Sequence, residues 1–342
     1  MRSSSPAVSV CIPTYNGADF LAETLGSAAA QTFDDFEIVI VDDGSTDATL
    51  EIAEQFARGE PRARVIRNAE RAGSSARNAN RCVEEARGAW IKFLFQDDLM
   101  APDCLGTMIE AGRRGPLVIS WHQYLFSSGV SEEVRRFYET LPTLARVLPT
   151  DYSEANTFSA AVIEHLGVNF IGPTSSSFIH RRCFSTYGPF SREIVSYPDL
   201  EFWMRVGSNE GLSIVGEPLV SFRVHDRSIS AQLRGDTKRE RRGRLEWLHL
   251  LWLIGHTPEY ERFHAIAKRW SPPLDAVSLL RGEALDLRWE ALEARHLHGD
   301  RKFLSDFNAF CDRNPQIRAL VRDHDAALPL WTRFKMFAKA RI

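Results

Sequence analysis

Short apolar runs and longer amphipathic stretches alternate along the first 230 residues. Residues 8–12 form a β-branched, almost continuous apolar run. Pro13, Thr14, Tyr15, Asn16 and Gly17 end it, ahead of a helix with Phe20, Leu21, Leu25 and Ala28 on its apolar side. Residues 36–41 repeat the pattern, and Ser45, Thr46 and Asp47 are suited to cap a helix that presents Ile52 and Phe56. Residues 64–67 predict a third strand, and the segment 68–75 leads from it into a helix ending near Gly88. A fourth run starts at Trp90 and delivers two adjacent carboxylates, Asp97 and Asp98, to its carboxyl end before Pro102 opens another helix. Strands alternating with helices predict an α/β fold whose parallel sheet is covered on both faces.

Regularity falls off after residue 116. Residues 117–121 and 124–126 read as strands, 151–166 as a helix, and 172–179 as a Ser-rich loop running into a strand. A helix follows Pro198 with Asp199 at its N-cap, and strands at 212–215 and 219–224 carry Arg223 and His225 toward the loop 226–230. Beyond 230 the pattern becomes long and helical, rich in Leu, Trp, Arg and Glu, with Pro258, Pro272, Pro273, Pro315 and Pro329 as punctuation. The expected division is therefore 1–230 and 231–342.

Ligands of such sheets bind at the carboxyl ends of the strands, where loops converge and helix N-termini point outward. Four polar segments fall there: 13–16, 42–47, 73–78 and 96–98. Each alone is ordinary turn and cap chemistry; four on one edge predict a site. Two neighbouring carboxylates repel each other in a partly desolvated cleft, so a divalent cation or hydrogen-bond donors must compensate them. No G-x-G-x-x-G follows the first strand and no P-loop occurs, which sets aside dinucleotide and ATP chemistry.

Composition narrows the picture further. The 342 residues carry 42 Lys and Arg against 45 Asp and Glu, a net charge of −3, so no overall field draws the chain to nucleic acid. Five scattered cysteines without metal-ligand spacing read as reduced thiols of a cytoplasmic protein, and residues 1–6 lack the apolar core of a signal peptide. The most apolar later segment, 245–254, is too short to span a bilayer. The segment 234–244 is mostly basic. Residues 330–341 interleave bulky apolar side chains with cations, a composition that suits either docking on the chain's own surface or peripheral association with an anionic inner membrane face.

Taken together, residues 8–17, 31–47, 73–78, 96–102, 199–205 and 222–230 resemble the family-2 inverting glycosyltransferases of bacterial surface-polysaccharide type. The resemblance implies a GT-A fold: a Rossmann-like, mostly parallel sheet flanked by helices, with an α-helical C-terminal extension at 231–342. The catalytic domain 1–230 would comprise a nucleotide-sugar half, 1–115, and an acceptor half, 116–230. By the same resemblance Pro13, Thr14, Tyr15, Asn16 and Asp43 line the nucleobase and ribose pocket, and Gly73, Arg77 and Asn78 close over the nucleotide. Asp98 takes the metal, Mn²⁺ or Mg²⁺, with Asp97 between ribose and metal and His225 within reach of it. Arg223 belongs to a loop closing over the diphosphate, and Asp199 is the general base. The expected donor is a nucleoside-diphosphate sugar, with UDP as the expected carrier, and the acceptor is a glycan or lipid-linked glycan. Two departures stand out: Phe95 and Gln96 occupy the start of the family's Asp-x-Asp-Asp segment, and Pro198 replaces an acid before Asp199.

The residue types suit this chemistry in their own right. A leaving diphosphate needs neutralising by a cation held on hard oxygen ligands, and an acceptor hydroxyl needs a carboxylate to take its proton. A rival reading, motivated by Phe95 and Pro198, is an inactive nucleotide-sugar or membrane-surface binding protein on the same fold. A nucleotidylyltransferase would carry Arg and Lys in the loop after the first strand, and residues 13–17 have neither.

Overall fold

The computed structural model describes residues 5–225 and 237–327. The chain divides into two compact units, Met1–Gln232 and Leu233–Ile342. In chain order the first carries β1 (Val8–Thr14), α1 (Leu21–Ala29), β2 (Phe36–Asp42), α2 (Thr49–Gly59), β3 (Ala63–Arg67), α3 (Ser75–Glu85), β4 (Trp90–Phe93), β5 (Leu99–Met100) and α4 (Cys104–Ala111). It continues with β6 (Leu117–Phe126), α5 (Glu132–Thr140), α6 (Leu144–Val147), β7 (Tyr152–Ser153), α7 (Ala155–Glu164), β8 (Ser177–His180), α8 (Arg182–Tyr187), α9 (Pro198–Glu210) and β9 (Leu212–Val224). The second unit is helical: α10 (Thr237–His256), α11 (Glu261–Ala267), α12 (Ala276–His298), α13 (Arg301–Arg313) and α14 (Pro315–Ala327). The loop 226–230, the start of the basic segment at 234–236 and the tail 330–341 lie outside the described residues. No described helix is long and apolar enough to cross a membrane.

One sheet of nine strands runs β3-β2-β1-β4-β8-β6-β9-β5, and β7 pairs with β9. Its first four strands are parallel, as their continuous apolar runs require: every residue of β1 and β2 is buried, and a strand covered on both faces has no polar side to show. On one face Leu21, Leu25, Ala28 and Ala53 of α1 and α2 pack on Val10, Ile12, Ile38 and Ile40. Toward α9, Phe93 of β4 meets Phe190 with ring centroids 5.5 Å apart, and Phe190 meets Phe202 at 4.7 Å.

Beyond β4 the sheet is mixed, and here the local pattern misleads. The two strands expected at 117–121 and 124–126 are one strand, β6, with a bulge around Trp121, paired in parallel with β9. Residues 212–224 likewise form one strand whose exposed Gly216, Glu217 and Pro218 look like a turn in sequence but are absorbed by that bulge. The expected helix 151–166 begins only at Ala155, because Tyr152 and Ser153 pair with β9 instead. Helix α9 starts at Pro198, whose fixed φ is preorganised for the first helical position. Asp199 therefore lies in the first turn, not at the N-cap.

A buried ion pair fixes α9. Glu201 is 1% exposed and meets Arg205 at 2.8 Å; the guanidinium also donates to the carbonyls of Tyr187 and Pro189. Arg205→Met strands the buried carboxylate, and the expected loss of unfolding free energy is ~3–5 kcal/mol, read from urea unfolding. Loss below about 1 kcal/mol would show the pair to be dispensable.

Candidate active site

Pro13 and Thr14 are the last buried residues of β1, and the Thr14 hydroxyl is directed to the Val41 carbonyl and Asp42, both at 3.3 Å. The chain reaches the edge of the sheet at Tyr15 and Asn16. Gln96 explains itself here: its amide accepts from Tyr15 N at 2.8 Å and donates to Tyr15 O at 3.0 Å. Gly17 is required for this, since a Cβ at 17 would stand 2.3 Å from the Gln96 amide carbon. Asn16 adopts φ 48°, which Asn tolerates, and its Oδ1 accepts from Thr46 N at 2.9 Å.

Asp43 does not stand open for a nucleobase. Its Oδ1 accepts from Asn68 at 2.9 Å and from Ala72 N, and its Oδ2 accepts from Gly73 N at 3.1 Å, so the carboxylate clamps the loop 68–73. Asn78 donates to the carbonyls of Thr14 and Val41 at 3.2 and 3.1 Å and ties the ends of β1 and β2 together. Arg77 sits exposed on α3, with its backbone N–H capped by Ser74 at 3.3 Å. Arg71 lies over the Tyr15 ring instead, its guanidinium carbon 3.9 Å from the centroid. It precedes Gly73 by two residues, and only the fold brings it to Tyr15.

The adjacent acids diverge completely. Asp98 is 1% exposed. Its Oδ2 accepts from the Ser175 hydroxyl at 2.5 Å and its Oδ1 from Arg223 N at 2.9 Å. Burial, then the neighbouring Asp97 charge, pushes its carboxyl well above the usual range. Both Asp98 oxygens are thus engaged within the chain, although the resemblance assigns the metal to this residue. Asp97, with its side chain 22% exposed, faces His225, whose Nε2 is 3.0 Å from Oδ2. The His225 ring rests on Phe20, and its Nδ1 is buried without a partner among the described residues.

Arg223 is engaged within the chain as well. Its Nε donates to the Asp97 carbonyl at 2.8 Å, its Nη2 meets Glu23 at 2.6 Å, and its guanidinium lies over Phe20. It is 7% exposed and holds the acid loop to α1. Glu23 is a residue that local pattern did not single out, and Phe20, expected only on the apolar side of the first helix, is its N-cap residue and backs both Arg223 and His225.

Asp199 sits half-buried in the first turn of α9. Its Oδ1 accepts from Leu200 N at 2.8 Å, and its Oδ2 lies 3.4 Å from both Asn169 Nδ2 and the Thr174 hydroxyl. Burial raises its carboxyl above the usual range, against the pull of these donors. Asn169, another unforeseen partner, folds its own loop by accepting from Gly172 N at 3.1 Å, where Gly172 takes φ +124°. Thr174 and Ser175 are consecutive, so a single turn (Thr174–Ser176) touches Asp199 on one side and Asp98 on the other.

Among the described residues no group of three or more His, Cys, Asp and Glu is placed to hold a metal. Two donors do converge, Asp97 and His225, with the imidazole Nε2 3.0 Å from the carboxylate Oδ2. A carboxylate oxygen and an imidazole nitrogen are donor types that would suit a divalent cation here.

Residues 9–180 match the family model described as Glycosyl transferase family 2. The chain is 30% identical over 230 residues to the putative glycosyltransferase EpsH of Bacillus subtilis, a match covering 66% of this chain and 63% of EpsH. In fold it is similar to S. aureus TarS in complex with UDP-GlcNAc, with TM-score 0.54 and 17% identity over 94% of this chain and 93% of that one. The mannosyltransferase PcManGT from Pyrobaculum calidifontis, in complex with GDP-Man and Mn²⁺, aligns with TM-score 0.52 and 18% identity, covering 99% of this chain and 85% of that one.

Proposed function

Because the chain belongs to glycosyl transferase family 2 and has its GT-A-type α/β sheet, we propose that it is a metal-dependent inverting enzyme. In this reading it moves a sugar from a nucleoside diphosphate, UDP in the first instance, to a hydroxyl of a glycan or lipid-linked acceptor in surface-polysaccharide assembly. The observation that carries the proposal is one turn, Thr174–Ser176, whose side chains reach Asp199 and Asp98 at once.

The acceptor hydroxyl attacks the anomeric carbon from the face opposite the diphosphate. The new C–O bond forms as the old one breaks; the bonding pair leaves with the nucleoside diphosphate, and the hydroxyl proton goes to the Asp199 carboxylate. A raised pKa improves Asp199 as a base, since proton transfer is most effective when base and working pH are close. Asp97 and His225 would hold a divalent cation, Mn²⁺ or Mg²⁺, which when bound neutralises charge on the leaving diphosphate. Tyr15 and Arg71 offer stacking surfaces to a base at the mouth of the loop 68–73. TarS with UDP-GlcNAc and PcManGT with GDP-Man and Mn²⁺ support donor class and cation by likeness of fold. Peripheral placement at the inner membrane face rests on the composition of residues 330–341.

A panel of UDP- and GDP-sugars, assayed for hydrolysis and transfer with Mn²⁺ and with chelator, tests the proposal. One donor is expected to turn over, with the rate suppressed by chelation. Binding without turnover across the panel would favour an inactive binding protein on the same fold.

A further inference from the structure

Lys92 occupies the middle of β4, between Val10 of β1 and Phe178 of β8, and is fully buried. An apolar side chain would serve a strand interior better, because a desolvated ammonium costs several kcal/mol unless its partners repay it. Its Nζ donates to the main-chain carbonyl of Ser175. The Ser175 hydroxyl accepts from Phe95 N at 3.0 Å and donates to Asp98 at 2.5 Å, and Asp98 in turn accepts from Arg223 N at 2.9 Å. On the other side of the same turn Thr174 reaches Asp199 at 3.4 Å.

We infer that Lys92 is a positioning residue: through the Ser175 carbonyl it locks the turn that spaces the base Asp199 from the Asp97–His225 pair. The inference rests on the roles given to those three residues above. Lys92 touches no reacting atom in this scheme. It anchors the turn from beneath, the Ser175 hydroxyl passes that anchorage to Asp98, and Arg223 extends it to Glu23 on α1. Phe95, at the position where the family carries its first acid, takes part through its backbone, the N–H donating to the Ser175 hydroxyl and the carbonyl accepting from Asp98 N at 3.0 Å, so the apolar side chain there does not interrupt the network.

The test compares Lys92→Met, Ser175→Ala and the double variant in the full chain. Each single change is expected to lower kcat by about 10²-fold with the donor KM little altered, the scale of a misplacement of about 1 Å at a reacting group. Acting through one relay, the two losses should not multiply: the double variant stays near 10²-fold, whereas independent structural defects would approach ~10⁴-fold. Hydrogen exchange supplies a readout independent of turnover. In both single variants amides of 95–98 and 174–177 are expected to exchange faster while those of β1, β2 and β3 keep their protection. Multiplying losses, unchanged kcat in folded Lys92→Met, or unchanged exchange at 174–177 would each overturn the inference. An inactive wild-type chain would instead count against the enzymatic reading, and the exchange arm would still decide whether Lys92 positions the turn. Should Lys92→Met fail to fold, Lys92→Gln, which shortens the side chain and withdraws its donor from the Ser175 carbonyl while keeping a polar group, carries the test with the same two readouts.

Discussion

Asp199→Asn is expected to lower kcat for sugar transfer by ~10²–10⁴-fold, the usual worth of a general base, while the donor still binds. The change is isosteric, and the amide oxygen still accepts from Leu200 N, which donates to the carboxylate at 2.8 Å. The capacity to take a proton goes, and on the other side the new Nδ2 replaces an acceptor 3.4 Å from Asn169 Nδ2 and from the Thr174 hydroxyl, which can turn to accept. Because burial raises the Asp199 carboxyl, wild-type activity should fall on the acid side at a pH above the ordinary carboxylate range, as the base becomes protonated. In Asp199→Asn the residual rate should lack that limb. Stability moves the opposite way. With a pKa raised on folding, the native chain binds this proton more tightly than the unfolded one, so stability declines as pH rises through the interval between the unfolded and folded values. At neutral pH the Asn variant is therefore expected to melt no lower than wild type. The checks are a kcat–pH profile, donor binding by calorimetry and a melting curve; kcat within tenfold of wild type would remove Asp199 from the role of base.

How much of this site is readable from the chain depends on the range over which each contact acts. The parallel strands β1, β2 and β4 and the loops after them follow from period and turn chemistry, because an apolar run bounded by Pro, Asn, Gly and Asp specifies its state locally. Strands β6 and β9 do not, since their bulge is a property of the pair: Gly216, Glu217 and Pro218 read as a turn until the register with Trp121 is known. The same holds within the site. Asp97 and Asp98 stand in a turn, where no two-residue alternation says which faces the cleft. The answer comes from Ser175 and Arg223, 77 and 125 residues away from Asp98. Glu23 meets Arg223 across 200 residues, so a cation that sequence alone assigns to a diphosphate is already engaged. Gln96 is the opposite case: a residue to which sequence assigns no task becomes a clamp on the Tyr15 backbone.

Exchanging the roles of the two acids gives the other large expected effect. Asp97→Asn should lower kcat/KM for the donor by ~10²–10³-fold, the scale of losing one preorganised electrostatic group at a site of developing charge, and should abolish stimulation by Mn²⁺. The substitution keeps the Asp97 carbonyl that accepts from Arg223 Nε at 2.8 Å, so the loop stays anchored while the carboxylate facing His225 is lost. His225→Ala should reproduce the weakened response to metal, since the imidazole is the second donor of the pair. Asp98→Asn should behave differently. Its carboxylate already accepts from Ser175 and Arg223, so neutralising it disturbs the turn at 174–176 and slows turnover as Ser175→Ala does. The Mn²⁺ concentration giving half-maximal rate should stay in place. Titrating donor turnover with Mn²⁺ across the three variants separates the two acids. Loss of the metal response in Asp98→Asn with its survival in Asp97→Asn would return the ligand to Asp98, and would require the enclosed carboxylate to swing free of Ser175 when the diphosphate arrives.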